Sequence, residues 1–130
     1  MVHVVVGLFI DVETGQILLA KRHPFSSLAG YWELPGGAME AGEDVQGCLE
    51  RQMFQSFNVN IHALSVFHEL QTEYDGQQFQ FTALFAKLLD SELQPQIHEA
   101  VKWVELDELL DLELVSATRE IGEKLLEAIA

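Results

Sequence analysis

Hydrophobic and polar positions change their period several times along the chain. Val4 to Ile10 is an unbroken apolar run of strand length, which predicts a buried strand. Asp11 to Gly15 predicts a turn, and Gln16 to Lys21 the returning strand. Arg22 to Gly30 carries Pro24, Ser26, Ser27 and Gly30 and predicts a loop. Trp32 to Leu34 is short and apolar, and Pro35-Gly36-Gly37 is expected to break any regular element after it. From Asp44 to Phe57 the period becomes helical. Val45, Cys48, Leu49, Met53 and Phe57 fall at three- and four-residue spacings on one face. Asp44 is the expected cap, and Asn58 the expected left-handed stop.

Beyond that helix, Val59 to Leu70 and Phe79 to Leu88 are rich in strand formers. Tyr74-Asp75-Gly76 between them predicts a hairpin turn. Val101 to Val104 predicts a short strand, Leu106 to Leu110 a helical turn, and Ser116 to Ala130 a closing amphipathic helix. Mixed strands with an inserted and a terminal helix predict an α/β (α+β) sandwich. No linker, repeat or low-complexity tract divides the sequence, so residues 1–130 are expected to form a single domain.

Charge narrows the partners. The chain has 7 basic and 21 acidic residues, a formal net charge of −14. The basic residues are scattered, with Lys21 and Arg22 the adjacent pair. Nucleic acid and anionic membrane are therefore excluded as expected partners. A small phosphorylated ligand is not, because one or two cations in a pocket suffice for it. The single cysteine, Cys48, permits no internal disulfide and suits a reducing cytoplasm. The amino terminus offers no basic region followed by an apolar segment and cleavage site. Val4 to Ile10 is too short to span a bilayer. The expected location is cytoplasmic.

The segment Trp32-Glu33-Leu34-Pro35-Gly36-Gly37, continued to Glu43, closely resembles the entry to the box of the Nudix hydrolase superfamily. The family pattern is G-x5-E-x7-R-E-U-x-E-E-x-G-U, with U a bulky aliphatic residue. Gly37, Glu43 and Arg51 match it at the right spacings, and Met53 and Val59 match as apolar positions. The flanking Trp-Glu-Leu-Pro-Gly-Gly is most similar to the MutT-like branch, which acts on nucleoside triphosphates. Lys21-Arg22, Lys102-Trp103-Val104 and the terminal helix extend the resemblance over essentially the whole chain. It implies the Nudix fold, a mixed β-sheet sandwiched between helices, with the two helices on opposite faces.

The resemblance also implies a chemistry. Family members cleave a pyrophosphate bond with a divalent metal, usually magnesium, a hard cation that prefers oxygen ligands. Three glutamates at the end of the box share one helix face. Here those positions are Gln52, Gln55 and Ser56. A further family glutamate arrives from a later loop, and counting back from Trp103 places Ile97 there. None of the four is charged, so weak or no Mg²⁺ binding is expected at the box. Glu43 and Arg51 remain to brace the loop against the helix and, with Gln52, occupy the positions equivalent to the family's catalytic ones. Asn58 replaces the box glycine but tolerates the same backbone conformation.

Ligand contacts are carried over in the same way. Arg22 matches a position that can contact phosphate or base, and reads equally as a surface arginine. Leu34 presents an apolar residue to a base or belongs to the core. Gly36 and Gly37 shape the loop beneath the ligand. Thr118 stands where the MutT branch has a purine-reading asparagine, and it lacks an amide's paired donor and acceptor. His98 matches a residue often seen in the family before the tryptophan strand, but reads rather as a loop histidine, and Cys48 as a buried inert thiol. Glu40, Glu50 and Glu99 are the nearby acids from which a rebuilt metal site would have to be made.

Three functions compete. The first is a Nudix domain that binds a nucleotide-like small molecule with weak or absent pyrophosphohydrolase activity. The second is an active enzyme with a rearranged metal site. The third is a structural or oligomerising Nudix-like module. The sequence identifies neither the ligand nor the oligomeric state.

Overall fold

Strand β1 (Val2–Asp11) contains the amino-terminal apolar run in the computed structural model, which describes residues 1–130. Successive side chains of a strand point to opposite faces, and both faces of β1 are apolar. Val5 and Phe9 enter one core, while Val6 and Leu8 enter a second. Strand β2 (Gln16–Lys21) alternates likewise, with Leu18 and Ala20 in the first core and Ile17 and Leu19 in the second. Strands apolar on both faces must be covered twice. Helix α1 (Val45–Phe57) covers the first core with Cys48, Leu49, Met53 and Phe57. Helix α2 (Ser116–Ile129) covers the second with Ala117, Ile121 and Leu125. The sandwich with helices on opposite faces is thus the expected one.

The remaining strands are β3 (Trp32–Glu33), β4 (Gly36–Ala38), β5 (Ile61–Tyr74), β6 (Gln77–Leu88) and β7 (Ala100–Glu105). β1 runs parallel to β6 and antiparallel to β4, and β6 continues the sheet to β5. β2 pairs antiparallel with β7 and β3, and at Ile17 and Gln16 with the end of β1. The result is one mixed seven-stranded sheet. A 3-10 helix, Leu106–Asp111, precedes α2. No helix is long and apolar enough to cross a membrane.

Strand β4 corrects an expectation. Pro35-Gly36-Gly37 does not end regular structure; Gly36 to Ala38 pair with Val6 to Val4. Gly36 has φ 153°, and a Cβ there would run into the Val5 carbonyl oxygen. Side-chain periodicity cannot reveal a three-residue strand whose first two residues are glycines. β5 also differs from its expected bounds. Val59 is buried in the first core, but the strand begins at Ile61. The hairpin then runs past the apolar runs, pairing Gln71 with Gln80 and Glu73 with Gln78. Asp75 and Gly76, at φ 51° and 77°, close it as a two-residue turn.

Helix α1 has the expected ends. The Asp44 side chain accepts from Gly47 N–H at 2.7 Å. Asn58 stands at φ 53°, ψ 41°, and its N–H donates to Phe54 O. The loop between β6 and β7 then crosses this helix end. Gln94 N–H donates to Phe57 O and Gln96 N–H to Ser56 O, both at 2.8 Å. These carbonyls lie in the last turn, where no helical amide reaches them.

Candidate functional site

One arginine joins the loop to α1. Arg51 Nε donates to Glu43 Oε2 at 2.6 Å, and Arg51 Nη2 to Glu43 Oε1 at 2.9 Å. This is the two-point geometry that a guanidinium offers a carboxylate. Arg51 Nη2 also donates to Ala38 O at 3.0 Å, and Nη1 to Gln55 Oε1 at 3.0 Å. Glu43 Oε1 accepts from Glu40 N–H at 2.9 Å, which closes the turn. The hydrogen bonds from Arg51, assisted by that backbone amide, hold the Glu43 carboxyl at about 2. Glu43 and Arg51 therefore stand together, as a clamp between loop and helix.

The neighbouring face of α1 is already hydrogen-bonded. Gln52 Nε2 donates to Ala38 O at 2.8 Å, the same oxygen that Arg51 reaches. A Cβ on Gly37 would collide with that carboxamide. Gln55 lends its oxygen to Arg51. Ser56 is only 4% exposed, beneath the loop whose Gln96 amide bonds its carbonyl. Ile97 is 62% exposed, so it is no core residue. Among the nearby acids, Glu40 faces Arg51 at 3.7 Å, and Glu99 faces Lys21 at 3.7 Å. Glu50 is exposed on α1. No three His, Cys, Asp or Glu side chains converge as a metal-binding group. Cys48 is buried, and burial, with the charge of Glu43, pushes its thiol up to about 11.

A cleft of about 480 Å³ opens beside the clamp. It brings together Arg22, Leu34, Gly36, Gly37 and Thr118, the residues expected at a ligand, and Ile97 stands at its wall. Glu43, Arg51, Gln52 and Gln55 do not line it. Leu34 is both core and cleft wall, being 4% exposed. Its N–H donates to Thr118 Oγ1 at 3.0 Å. Thr118 thus holds the start of α2 against the loop, and its hydroxyl proton and one lone pair are left to offer a ligand.

Two residues of this cleft were missed. Glu33 accepts from Arg22 Nη1 at 2.9 Å through one oxygen and meets His98 Nε2 at 2.8 Å through the other. Burial works to raise the Glu33 pKa. The His98 hydrogen bond and the charge and hydrogen bond of Arg22 outweigh it, so the carboxyl lies below its usual range. His98 is not a surface loop histidine. Its side chain is 7% exposed, and its ring stacks on Phe57 at 5.2 Å. Its Nδ1 is buried without a partner. Nothing local predicts a contact between residues so far apart in the chain. The available signals were Glu33 itself, a charge between two apolar residues on a short strand, and the match of His98 to a residue often seen in the family. Tyr74, Phe79 and Phe81 add an aromatic wall from the hairpin, and the apolar pattern of β6 did not separate them from core.

The mixed sheet between two helices and the clamped loop together define a Nudix-type domain. A family model described as NUDIX domain matches residues 1–125, and the chain belongs to that family, in its MutT-like branch. The family is generally dependent on divalent metal. The chain is 32% identical to "Putative 8-oxo-dGTP diphosphatase 2" of Mycobacterium tuberculosis over 104 residues, 79% of this chain and 74% of that protein. It is 29% identical to "CTP pyrophosphohydrolase" of Escherichia coli over 103 residues, 79% of this chain and 76% of that protein. Among solved structures, the E. coli ORF135 protein superposes with a TM-score of 0.85 at 27% identity, over 100% of this chain and 91% of that one. The MutT protein of Methanosarcina mazei has a TM-score of 0.86 at 21% identity, over 98% and 94%, and shares the fold.

Proposed function

We propose that residues 1–130 act as one domain that binds a nucleotide-like small molecule in the cleft, with weak or absent pyrophosphohydrolase activity. The observation that carries this reading is the Gln52 carboxamide donating to Ala38 O. A hard dication needs several oxygens free to face it, preferably charged. Here the Ala38 carbonyl takes two protein donors, Gln55 O takes Arg51, Ser56 is buried, and Ile97 has no donor atom. Of the glutamates in the box segment, Glu40 and Glu43 face Arg51, and Glu50 is exposed on α1. This donor set does not fit magnesium. The cleft supports ligand binding independently, since Arg22, Leu34, Gly36, Gly37 and Thr118 all reach it. The net charge of −14 supports a reading without nucleic acid or membrane as partner, and the buried thiol of Cys48 suits a cytoplasmic setting.

A second reading, a working pyrophosphohydrolase with a rearranged metal site, is favoured by the activities that the two curated relatives are named for. It requires a site rebuilt from some of Glu40, Glu50 and Glu99, of which Glu40 faces Arg51 and Glu99 faces Lys21. A screen of nucleoside di- and triphosphates for phosphate or pyrophosphate release, with Mg²⁺ and with Mn²⁺, separates the two. Thermal stabilisation by a nucleotide without turnover supports the first reading. Fast metal-dependent turnover by the unmodified chain replaces it with the second.

A further inference from the structure

We infer that the cleft recognises the uncharged heterocycle-and-sugar end of its ligand and disfavours added phosphates, so that a nucleoside is bound more tightly than its triphosphate. The inference rests on the nucleotide-like ligand proposed above and names the part of it that is read.

The first observation is that Arg22, the only Lys or Arg side chain lining the cleft, already has a carboxylate. Arg22 is paired with Glu33, Arg51 with Glu43 and Glu40, and Lys21 with Glu99. Three cations thus face four glutamates, in a chain whose formal charge is −14. A polyphosphate entering here meets a surplus of like charge. The second observation is the helix face that the family uses for metal: Gln55 Oε1 is bonded to Arg51 and Gln52 turns its NH2 to Ala38 O, so a bridging dication finds no carboxylate there from which to offset that charge. The amino-terminal turn of α2, Ser116 to Thr118, does reach the cleft. A helix end carries only about half a positive charge, against roughly one negative charge or more for each phosphate.

The third observation is what the cleft offers instead. Tyr74, Phe79 and Phe81 give aromatic surface on which a base can stack. Glu33 is ionised and accepts hydrogen bonds, while the α2 amides and Thr118 hydroxyl donate them. These groups suit a flat heterocycle that bears both amino and carbonyl groups.

The test compares cytidine, CMP, CDP and CTP, and the matching deoxyguanosine series, by NMR titration of the full chain in EDTA. Ionic strength is raised from about 0.01 M to about 1 M, which shortens the screening length from about 30 Å to about 3 Å. At low salt the triphosphate is expected to bind about tenfold more weakly than the nucleoside, from a few like-charge interactions at roughly 10 Å in water. Its affinity should rise with salt, while that of the nucleoside stays flat. The double variant Glu40→Gln/Glu99→Gln changes two exposed side chains outside the cleft lining; it should narrow the gap and leave nucleoside binding unchanged. A triphosphate that binds as tightly as the nucleoside or more tightly, or that weakens with salt, overturns the inference and leaves the nucleotide-ligand reading standing. A gap that the double variant does not narrow overturns it too. Failure of every member to bind overturns both.

Discussion

The clamp and the helix face beside it differ in one respect. On the loop side, Arg51 and Glu43 meet as charges, with two hydrogen bonds at 2.6 and 2.9 Å. One residue along the chain, Gln52 is neutral and donates to a carbonyl. The clamp determines where the loop runs, and a full ion pair does that. The neighbouring face faces loop backbone, where an amide is complementary and a carboxylate is not. The shape of a site and its charge are therefore carried by different residues, and one can change while the other persists.

The widest break is expected at Phe57, at the end of the helix that carries both regions. It closes the core under α1 and carries the His98 ring. Phe57→Ala should cost about 3–5 kcal/mol of stability. It should also weaken ligand binding in the cleft, because His98 loses the surface it stacks on. Denaturant melts and a nucleoside titration check both, and a variant with wild-type cleft affinity would uncouple the two regions.

Charging the neutral face tests the comparison directly. Gln52→Glu, Gln55→Glu and Ile97→Glu place three carboxylates near Ala38 O and the cleft. Ser56 is left unchanged because a glutamate there would be buried. Without metal, loss of the Gln52 donor and repulsion from the carbonyl should lower stability by about 1–3 kcal/mol. Mg²⁺ should restore it by binding the assembled site. Melting temperatures with and without Mg²⁺ decide this, and no metal-dependent gain would mean that charge is not what the face lacks.

A comparable or smaller effect belongs to Thr118. Thr118→Val removes the acceptor for the buried Leu34 amide and should cost about 1–3 kcal/mol, whereas Thr118→Ser should keep most of the stability. Equal melts for the two variants would show that the hydroxyl does not hold the loop.

The smallest effect is expected in the acid limb of stability. The Glu43 carboxyl stands at about 2 in the folded chain, against 4.5 for an unconstrained glutamate. As pH falls, the unfolded chain takes up this proton first. The contribution of the clamp is full above 4.5 and is lost between there and about 2. Glu43→Gln should flatten that part of the pH–stability curve, leaving the smaller slope that Glu33 contributes. Superimposable acid limbs for wild type and variant would contradict the clamp.

Much of this architecture was legible where periodicity and turn chemistry apply. Val4 to Ile10, the α1 face from Val45 to Phe57, Asp44 and Asn58 behave as their residue types require. The clamp partners Glu43 and Arg51 were legible through their match to the family's box. Strand β4 was not, because glycine carries no pattern. The Glu33–His98 contact was not, because it joins β3 to the β6–β7 loop through tertiary structure. The burial of Ser56 was hidden as well, since its cover comes from Gln94 and Gln96 on a distant loop.

That loop is attached to α1 through backbone amides, Gln94 N–H to Phe57 O and Gln96 N–H to Ser56 O. Backbone bonds are indifferent to which side chain each residue bears. The path of the loop is therefore insensitive to substitution at its exposed residue Ile97, which behaves as an exchangeable socket. A charged group can take the place of the apolar one there without rebuilding the support beneath it.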